Sequence, residues 1–143
     1  MFKVRVFHYV LQGKTPVAID PGDPAGHLRW AEWFKTADRH VAKETIGGIR
    51  ISTVFLGLDH GFDPDEAPIL FESMCFAPVD EKDQIKTITM PNGVIETYRI
   101  TQEELSEFTE RYSTWQEAEE GHRRIVTQIR KSLLKIVNGK GNA

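Results

Sequence analysis

Carboxylate and imidazole side chains are concentrated between two apolar runs in the middle of the chain, at residues 52–58 and 69–76. The connection contains Asp59, His60, Asp63, Asp65 and Glu66. Such groups can bind metal ions or transfer protons. The order of residues in "DHGFDPDEAPIL" does not match the calcium loop of an EF-hand, which has oxygen ligands at fixed odd positions, an inner glycine and a closing glutamate. We therefore predict a solvated strand connection without calcium, whose first residues, Asp59 and His60, are candidates for ligand binding.

Two further polar side chains fall on faces that the sequence predicts to be buried. His122 lies on the apolar stripe of a long C-terminal helix, and Glu72 lies among apolar neighbours in a strand. Glu119 precedes His122 by three residues, a spacing used by carboxylate-bridged metal sites in helical bundles, but those sites need a second copy that the chain lacks. We predict no metal site. A lone inward histidine more often hydrogen-bonds a buried carboxylate, here Glu72 or Asp59, and Glu72 and His122 remain ligand-binding candidates.

Aromatic and basic side chains in the first turns of the same helix suit a nucleotide-like ligand. Trp115 leads the helix, and Arg123 and Arg124 follow two turns later. An indole can stack on a base or a sugar, although tryptophans on the apolar stripe of a helix more often pack. Arginine fits phosphate, and its predicted ion pairs with Glu119 and Glu120 are weak enough to leave it available. Trp115 and Arg123 complete the set of ligand-binding candidates.

No catalytic residue and no cofactor are predicted. The chain has no G-x-S-x-G elbow, phosphate loop or dinucleotide fingerprint. Its one cysteine, Cys75, lies within an apolar strand, away from the electropositive setting that a reactive thiolate needs. A single cysteine also excludes an internal disulfide and a cysteine cluster for zinc.

The composition is that of a single domain spanning residues 1–143. Apolar residues make up 40% and charged residues 27% of the chain, which is ordinary for a globular protein. The net charge of −3 argues against sequence-independent binding of nucleic acid but leaves room for a small basic pocket. No apolar run approaches the roughly 18 residues of a membrane span, and "MFKVRVFHYVLQGK" lacks the continuous apolar core of a signal peptide. We expect a cytoplasmic protein without membrane contact.

Strands are predicted in both halves of the chain. Residues 2–11 alternate in hydropathy, and residues 15–19 return after a turn at Gly13-Lys14. Residues 49–58 and 69–76 are apolar on both faces, as central strands are. Residues 85–100 alternate on either side of "PNG", which is typical of a β-hairpin.

Three helices are predicted from their period and their capping residues. The first begins at Asp23-Pro24 and ends at Gly47-Gly48. One of its faces carries apolar residues at helical spacing: Trp30, Phe34, Ala37 and Val41. Capping boxes at Thr101 and Thr114 begin a short helix and a long one, and the long helix ends at Asn138-Gly139.

These elements predict an α+β fold. We expect a mostly antiparallel sheet of about five or six strands, packed by a helix from the N-terminal half and by the long C-terminal helix. The apolar stripe of the long helix continues over residues 129–137, beyond what a small sheet can cover. We therefore expect a homodimer or a higher homo-oligomer.

Four blocks of the sequence together resemble a known group of proteins. They read "WAEWFKTADRHVA", "ISTVFLGLDHGF", "LFESMCF" and "RYSTWQEAEEGH". In this order they are similar to small proteins of uncharacterised activity encoded by bacteriophages, prophages and their bacterial hosts. The similarity covers residues 28–76 and 111–124, and the hairpin and short helix of residues 77–110 look like an elaboration of the group's shorter pattern. The resemblance implies an accessory protein of a phage or mobile element in bacterial cytoplasm, and it assigns no catalytic residue.

Three functions are compatible with these features. The first is non-catalytic binding of a host protein or of a small nucleotide-like signal, which would counter host defence. The second is a small metal-assisted hydrolase that uses His60, Glu72, Glu119 and His122 in some combination. The third is a minor structural or assembly component of the virion. The lack of catalytic motifs, the acidic connection and the extra hairpin favour the first.

Overall fold

The structure, a computed structural model, describes residues 5–137, with side chains up to residue 135. Its helices are α1 (Pro24–Thr36), α2 (Glu81–Gln84), α3 (Gln102–Leu105) and α4 (Trp115–Val137). Its strands are β1 (Tyr9–Gln12), β2 (Thr15–Ala18), β3 (His40–Ile46), β4 (Ile49–Phe55), β5 (Phe71–Phe76), β6 (Ile85–Thr89), β7 (Ile95–Arg99) and β8 (Glu110–Tyr112). A 3-10 turn, Ser106–Phe108, follows α3. No helix in this part of the chain is long and apolar enough to cross a membrane.

Within residues 5–137 the strands form three antiparallel sheets. The main sheet has the order β3-β4-β5-β8, and β1-β2 and β6-β7 are separate hairpins. The predicted α+β fold with a long C-terminal helix is confirmed, whereas the single sheet of five or six strands is wrong. Gly57, two residues after β4 ends, has a φ of 77°. Within the described residues, one bridge, between His8 and Leu58, pairs the segment before β1 with the segment after β4.

Residues 40–46 form a strand, although the sequence predicted them as the last turns of a helix. α1 already ends at Thr36, and β3 pairs with β4 along its length. Gly47 and Gly48 have φ angles of 57° and 85°, which suit the two-residue hairpin turn that joins these strands. The glycine pair thus connects two strands instead of ending a helix, and pairing with β4 overrides the helical spacing that includes Val41.

The remaining boundaries follow the predictions with smaller corrections. β1 begins at Tyr9 rather than at residue 2, and residues 2–4 lie outside the described part of the chain. The hairpin β6-β7 is present where "PNG" predicted it. Both predicted N-caps form: the hydroxyls of Thr101 and Thr114 accept hydrogen bonds from the N–H groups of Glu104 and Glu117 at 3.2 and 3.1 Å. The predicted end of α4 at residues 138–139 lies outside the described residues.

α4 covers one face of the main sheet. Side chains along β4 and β5 alternate between the two faces, so that every second residue is buried on the side of α4. The buried residues of these two strands are Ile49, Ile51, Thr53, Phe55, Phe71, Ser73 and Cys75. Near one end of the sheet a series of aromatic rings connects α1 to α4, with centroids 5.9, 5.2 and 6.2 Å apart, in the order Trp33, Phe55, Phe71 and Trp115.

The other face of the main sheet, here called the open face, is accessible to solvent. In β4 it presents Arg50, Ser52 and Val54, and in β5 it presents Glu72, Met74 and Phe76. None of these side chains is buried. The same strands therefore have one face covered by α4 and one face accessible to solvent.

Candidate functional site

The six side chains predicted to bind a ligand lie in four separate places. Asp59 and His60 begin the connection between β4 and β5, where His60 is exposed. Glu72 lies on the open face, whereas His122 is buried between the sheet and α4. Trp115 and Arg123 belong to the first half of α4. The candidates therefore do not form one common site.

Asp59 holds the connection between β4 and β5 in place. One carboxylate oxygen accepts hydrogen bonds from the N–H groups of Gly61 and Ile69 at 2.8 and 2.9 Å. The other accepts one from the Arg5 guanidinium at 3.1 Å. Burial by itself would raise the pKa of Asp59, but these hydrogen bonds and the Arg5 charge outweigh it and lower the pKa. The first residue of the predicted strand connection thus holds it in place. Both oxygens of the Asp59 carboxylate already accept hydrogen bonds from within the chain.

His122 is buried, and its carboxylate partner is Glu44. The His122 Nε2 atom lies 3.0 Å from a Glu44 carboxylate oxygen. The prediction that Glu72 or Asp59 would be this partner is wrong. Because side chains alternate along β5, Glu72 projects onto the open face, where it accepts a hydrogen bond from Arg111 at 2.8 Å. Sequence reasoning missed Glu44 because it had assigned residues 37–46 to a helix.

A chain of hydroxyl groups continues from His122 across the covered face of the sheet. His122 Nδ1 lies 2.7 Å from the Thr53 hydroxyl, which lies 2.6 Å from the Ser73 hydroxyl. The Tyr112 hydroxyl is 3.0 Å from both Ser73 and a carboxylate oxygen of Glu110. Burial, with the hydrogen bond to Glu110, raises the pKa of Tyr112 to about 12.

The carboxylates at the two ends of this chain can only accept hydrogen bonds. His122 therefore donates its Nε2–H to Glu44. The Tyr112 hydroxyl has one proton, which it donates to Ser73 or to Glu110 at the opposite end. Each buried polar group along the chain thus has a partner, which is what a buried polar network requires to be stable.

The order of carboxylate, imidazole and hydroxyl in Glu44, His122 and Thr53 is that of a hydrolase triad. The hydroxyl, however, is 0% exposed and the imidazole 2% exposed. A nucleophile has to touch its substrate, and this hydroxyl cannot. The three residues instead link α4 to the main sheet through hydrogen bonds. The buried Cys75 is also unreactive, because burial raises the pKa of its thiol to about 11. Among the described residues, no three His, Cys, Asp or Glu side chains are placed to hold a metal ion.

Trp115 and Arg123 both contact Glu119 in the first half of α4. The Trp115 indole N–H donates to Glu119 at 2.6 Å, and the ring packs edge-on against Phe71. Arg123 lies 3.9 Å from the same carboxylate, as its spacing predicts. The second predicted pair, between Glu120 and Arg124, does not form, because Arg124 instead contacts Glu110 from β8 at 2.9 Å. Trp115 thus packs against the main sheet, as tryptophans on the apolar stripe of a helix more often do.

The open face carries a group of donor side chains that sequence reasoning missed. Lys43 lies directly opposite Ser52, and Thr45 lies directly opposite Arg50, on the paired strands β3 and β4. Residues in this relation share a face of the sheet, and diagonal neighbours remain within reach of long side chains. Lys43 and Arg50 therefore occupy one diagonal of a quartet, and the two hydroxyls occupy the other. The sequence signal was "KET" and "RIS" on either side of the glycine pair, visible only once residues 40–46 are recognised as a strand.

A depression of about 440 Å³ lies over this donor quartet. Besides the quartet, Phe76 and His40 line it. The Arg50 guanidinium lies over the Phe76 ring, 5.1 Å from its centroid. The volume falls within the range of sites that hold small molecules.

More cationic than anionic side chains border the depression. Lys43 and Arg50 have no carboxylate within 4 Å in the described part of the chain, whereas His40 is 3.1 Å from Asp38. Glu44 also borders the depression, but its carboxylate contacts His122 and Arg130 on the covered side of the sheet. In a chain of net charge −3, two cations without a carboxylate within 4 Å among the described residues lie beside two hydroxyls, a combination of groups that can attract an anion.

The residues that carry the family resemblance lie mostly in the packed parts of the molecule. Trp30 donates its indole N–H to the carbonyls of Tyr9 and Gly57 at 2.9 and 3.1 Å. Gly121, in the last block, lies so close to the Tyr112 ring that a Cβ would overlap it. The blocks thus encode contacts between elements of the fold. Comparisons with models of known protein families, with curated proteins and with solved structures found no match.

Proposed function

We propose that the chain is an accessory protein of a phage or mobile element, acting in bacterial cytoplasm by non-catalytic binding of a small nucleotide-like anion on the open face. The observation that carries this proposal is the donor quartet of Lys43, Thr45, Arg50 and Ser52 above the depression. Sequestering such a signal would counter a host defence that depends on it.

The chemistry of the quartet suits a phosphate group. Its two cations and two hydroxyls can all donate hydrogen bonds to phosphate oxygens, and arginine can donate two bonds at once. Charge-assisted hydrogen bonds of this kind are the strong ones in proteins. Because both cations lack a carboxylate partner within 4 Å among the described residues, no existing ion pair has to break when the anion binds.

The surface beside the quartet suits a planar ring. Phe76 lies directly opposite Arg50 in the sheet, and Met74 lies opposite Ser52. A guanidinium plane and an aromatic ring are both surfaces on which bases stack. A nucleotide therefore matches the combination of donors and apolar surface better than inorganic phosphate, which would leave Phe76 and Met74 without contact.

The positions of the acid–base groups favour binding over the metal-assisted hydrolase. Glu72 lies on the open face and His122 on the covered face, so these two cannot ligate one ion. The Glu119 carboxylate accepts a hydrogen bond from the Trp115 indole and lies within 4 Å of Lys14 and Arg123. The quartet itself contains neither a carboxylate nor an imidazole that could act as a general base. A protein partner or a place in the virion remains as the alternative if no anion binds.

Calorimetric titration with adenosine diphosphate, adenosine and inorganic phosphate tests the proposal. We expect the diphosphate to bind most tightly and to be recovered unchanged by mass spectrometry. Lys43→Ala and Arg50→Ala should each weaken binding about tenfold or more, because each removes a charge-assisted hydrogen bond. Lys82→Ala, at another exposed lysine, is the matched control and should bind like the original chain. A chemically altered ligand, or equal binding by all variants, would overturn the proposal.

A further inference from the structure

We propose that two copies of the chain associate through the C-terminal half of α4, with the exposed Leu134 of each copy seated in an apolar groove of the other. The proposal rests on two neighbouring surfaces of one chain that complement each other in shape and charge. It does not depend on the ligand site, because α4 lies on the covered side of the main sheet.

The groove runs between α4 and the segment that contains α3 and the 3-10 turn. It has a volume of about 230 Å³. Its floor is apolar and includes Ile100, Leu105, Phe108, Ile129 and Leu133. Its rim carries two exposed carboxylates, those of Glu104 and Glu107. The groove therefore fits an aliphatic side chain with basic neighbours.

Leu134, on the same helix α4, is an aliphatic side chain with basic neighbours, and Leu133 lies between it and the groove in the lining of both depressions. Leu134 is 58% exposed, and Ile46, Leu133 and Arg130 join it around a second apolar depression of about 290 Å³. Arg130 and Lys131 precede Leu134 by four and three residues, which places both beside it on the helix surface. Arg130 reaches Glu44 at 3.9 Å only, so a closer carboxylate can compete for it. A single exposed leucine is ordinary, but one that adjoins an apolar depression and two basic residues forms a patch.

The complementarity of the two surfaces identifies a second copy as the occupant. The groove is apolar with an acidic rim, and the patch is apolar with a basic rim. A two-fold axis makes each contact twice, since the patch of each copy meets the groove of its partner. The residues that follow α4, Asn138 to Ala143, have no apolar side chain larger than a methyl group. They are therefore poor candidates for filling the groove from within the same chain.

Leucine substitutions give the first test, by sedimentation velocity over the micromolar range. We expect the original chain to sediment as a dimer and Leu134→Glu to weaken association at least about tenfold, because it places a carboxylate against the acidic rim at both contacts. Leu28→Glu is the matched control, since Leu28 on α1 is 69% exposed, and it should leave the dimer intact. A monomeric original chain, or a dimer insensitive to Leu134→Glu, would overturn the proposal.

Charge reversal gives a second test that does not depend on how well Leu134→Glu folds. One variant combines Glu104→Lys with Glu107→Lys, and the other combines Arg130→Glu with Lys131→Glu. Each variant alone has like charges at both contacts and should be monomeric, whereas an equimolar mixture restores opposite charges at both and should form a heterodimer. If the two variants remain monomeric on mixing, or if either dimerises alone as the original chain does, this interface is excluded.

Discussion

Thr53 and Ser52 are neighbours on β4, yet their hydroxyls face opposite environments. On the covered face, Thr53 is fully buried and joins Ser73 to His122, and every polar group around it has a partner inside the chain. On the open face, Ser52 lies opposite Lys43 in a group of two cations and two hydroxyls that contains no carboxylate. A polar group that is satisfied internally stabilises the fold, whereas unpaired donors at a depression are available to a ligand. The two hydroxyls thus differ in their surroundings more than in their chemistry.

The largest effect is expected where the covered face is packed most tightly. In Gly121→Ala the new Cβ overlaps the Tyr112 ring, which is held between the sheet and α4. In a helix, replacing glycine by alanine is normally stabilising. A loss of stability in this variant would therefore come from the overlap with the Tyr112 ring. We expect the free energy of unfolding in urea to fall by about 3 kcal/mol. Gln128→Ala, exposed on the same helix, is the control and should change it little; a stabilised Gly121→Ala would contradict the packing.

Removing a hydroxyl from each face compares the two directly. Thr53→Val keeps the shape of the side chain but leaves His122 and Ser73 without their shared partner, and should lower the free energy of unfolding by about 2 kcal/mol. Ser52→Ala, one residue away, should change it by less than about 0.5 kcal/mol. Urea denaturation of both variants measures the contrast. Equal effects would mean that the two faces are not as different as their geometry indicates.

Asp59, at the end of the sheet, should make the stability of the chain depend on pH. Its pKa in the folded chain is lowered from the ordinary 3.8, so its contribution to stability is complete above that value and is lost as pH falls through the folded pKa. Asp59→Asn should cost about 1 kcal/mol at neutral pH. The difference between the two chains should shrink as the pH falls below about 4. A difference that is constant down to the acid limit would exclude an ionised Asp59 as the anchor.

The smallest effect on stability is expected on the open face. The double variant Lys43→Ala with Arg50→Ala removes both cations of the quartet without breaking an ion pair to a described residue. We expect the free energy of unfolding to change by less than about 0.5 kcal/mol, while binding of adenosine diphosphate is abolished. A large loss of stability, measured by the same urea titration, would mean that these cations serve the fold.

Much of the fold was predictable because its signals are local. The hairpin around "PNG", the capping residues Thr101 and Thr114 and the apolar stripe of α4 each specify an element from a few neighbouring residues. β3 was not predictable in this way, because Val41 continues a helical spacing and only pairing with β4 makes it a strand. Likewise, the division of the strands into three sheets depends on pairing between distant segments, which sequence alone does not reveal.

The candidate site was harder to predict than the fold, and for a related reason. His122 was recognised as buried from its place on the stripe, but its partner Glu44 lies on the strand that was mistaken for helix. The same error concealed the quartet, since Lys43 and Thr45 share a face only in an extended chain. Glu72 was assigned to the core because its neighbours are apolar, although one step along a strand reverses the face.

The central claim, that the open face holds a nucleotide-like anion, is tested most directly by native mass spectrometry. The original chain and the Lys43→Ala, Arg50→Ala double variant are purified gently from the same bacterial lysate without chelator, and their masses are compared. We predict that the original chain carries an extra mass in the nucleotide range, which names its ligand, and that the variant does not. A bare original chain, or the same extra mass on both, would contradict the claim.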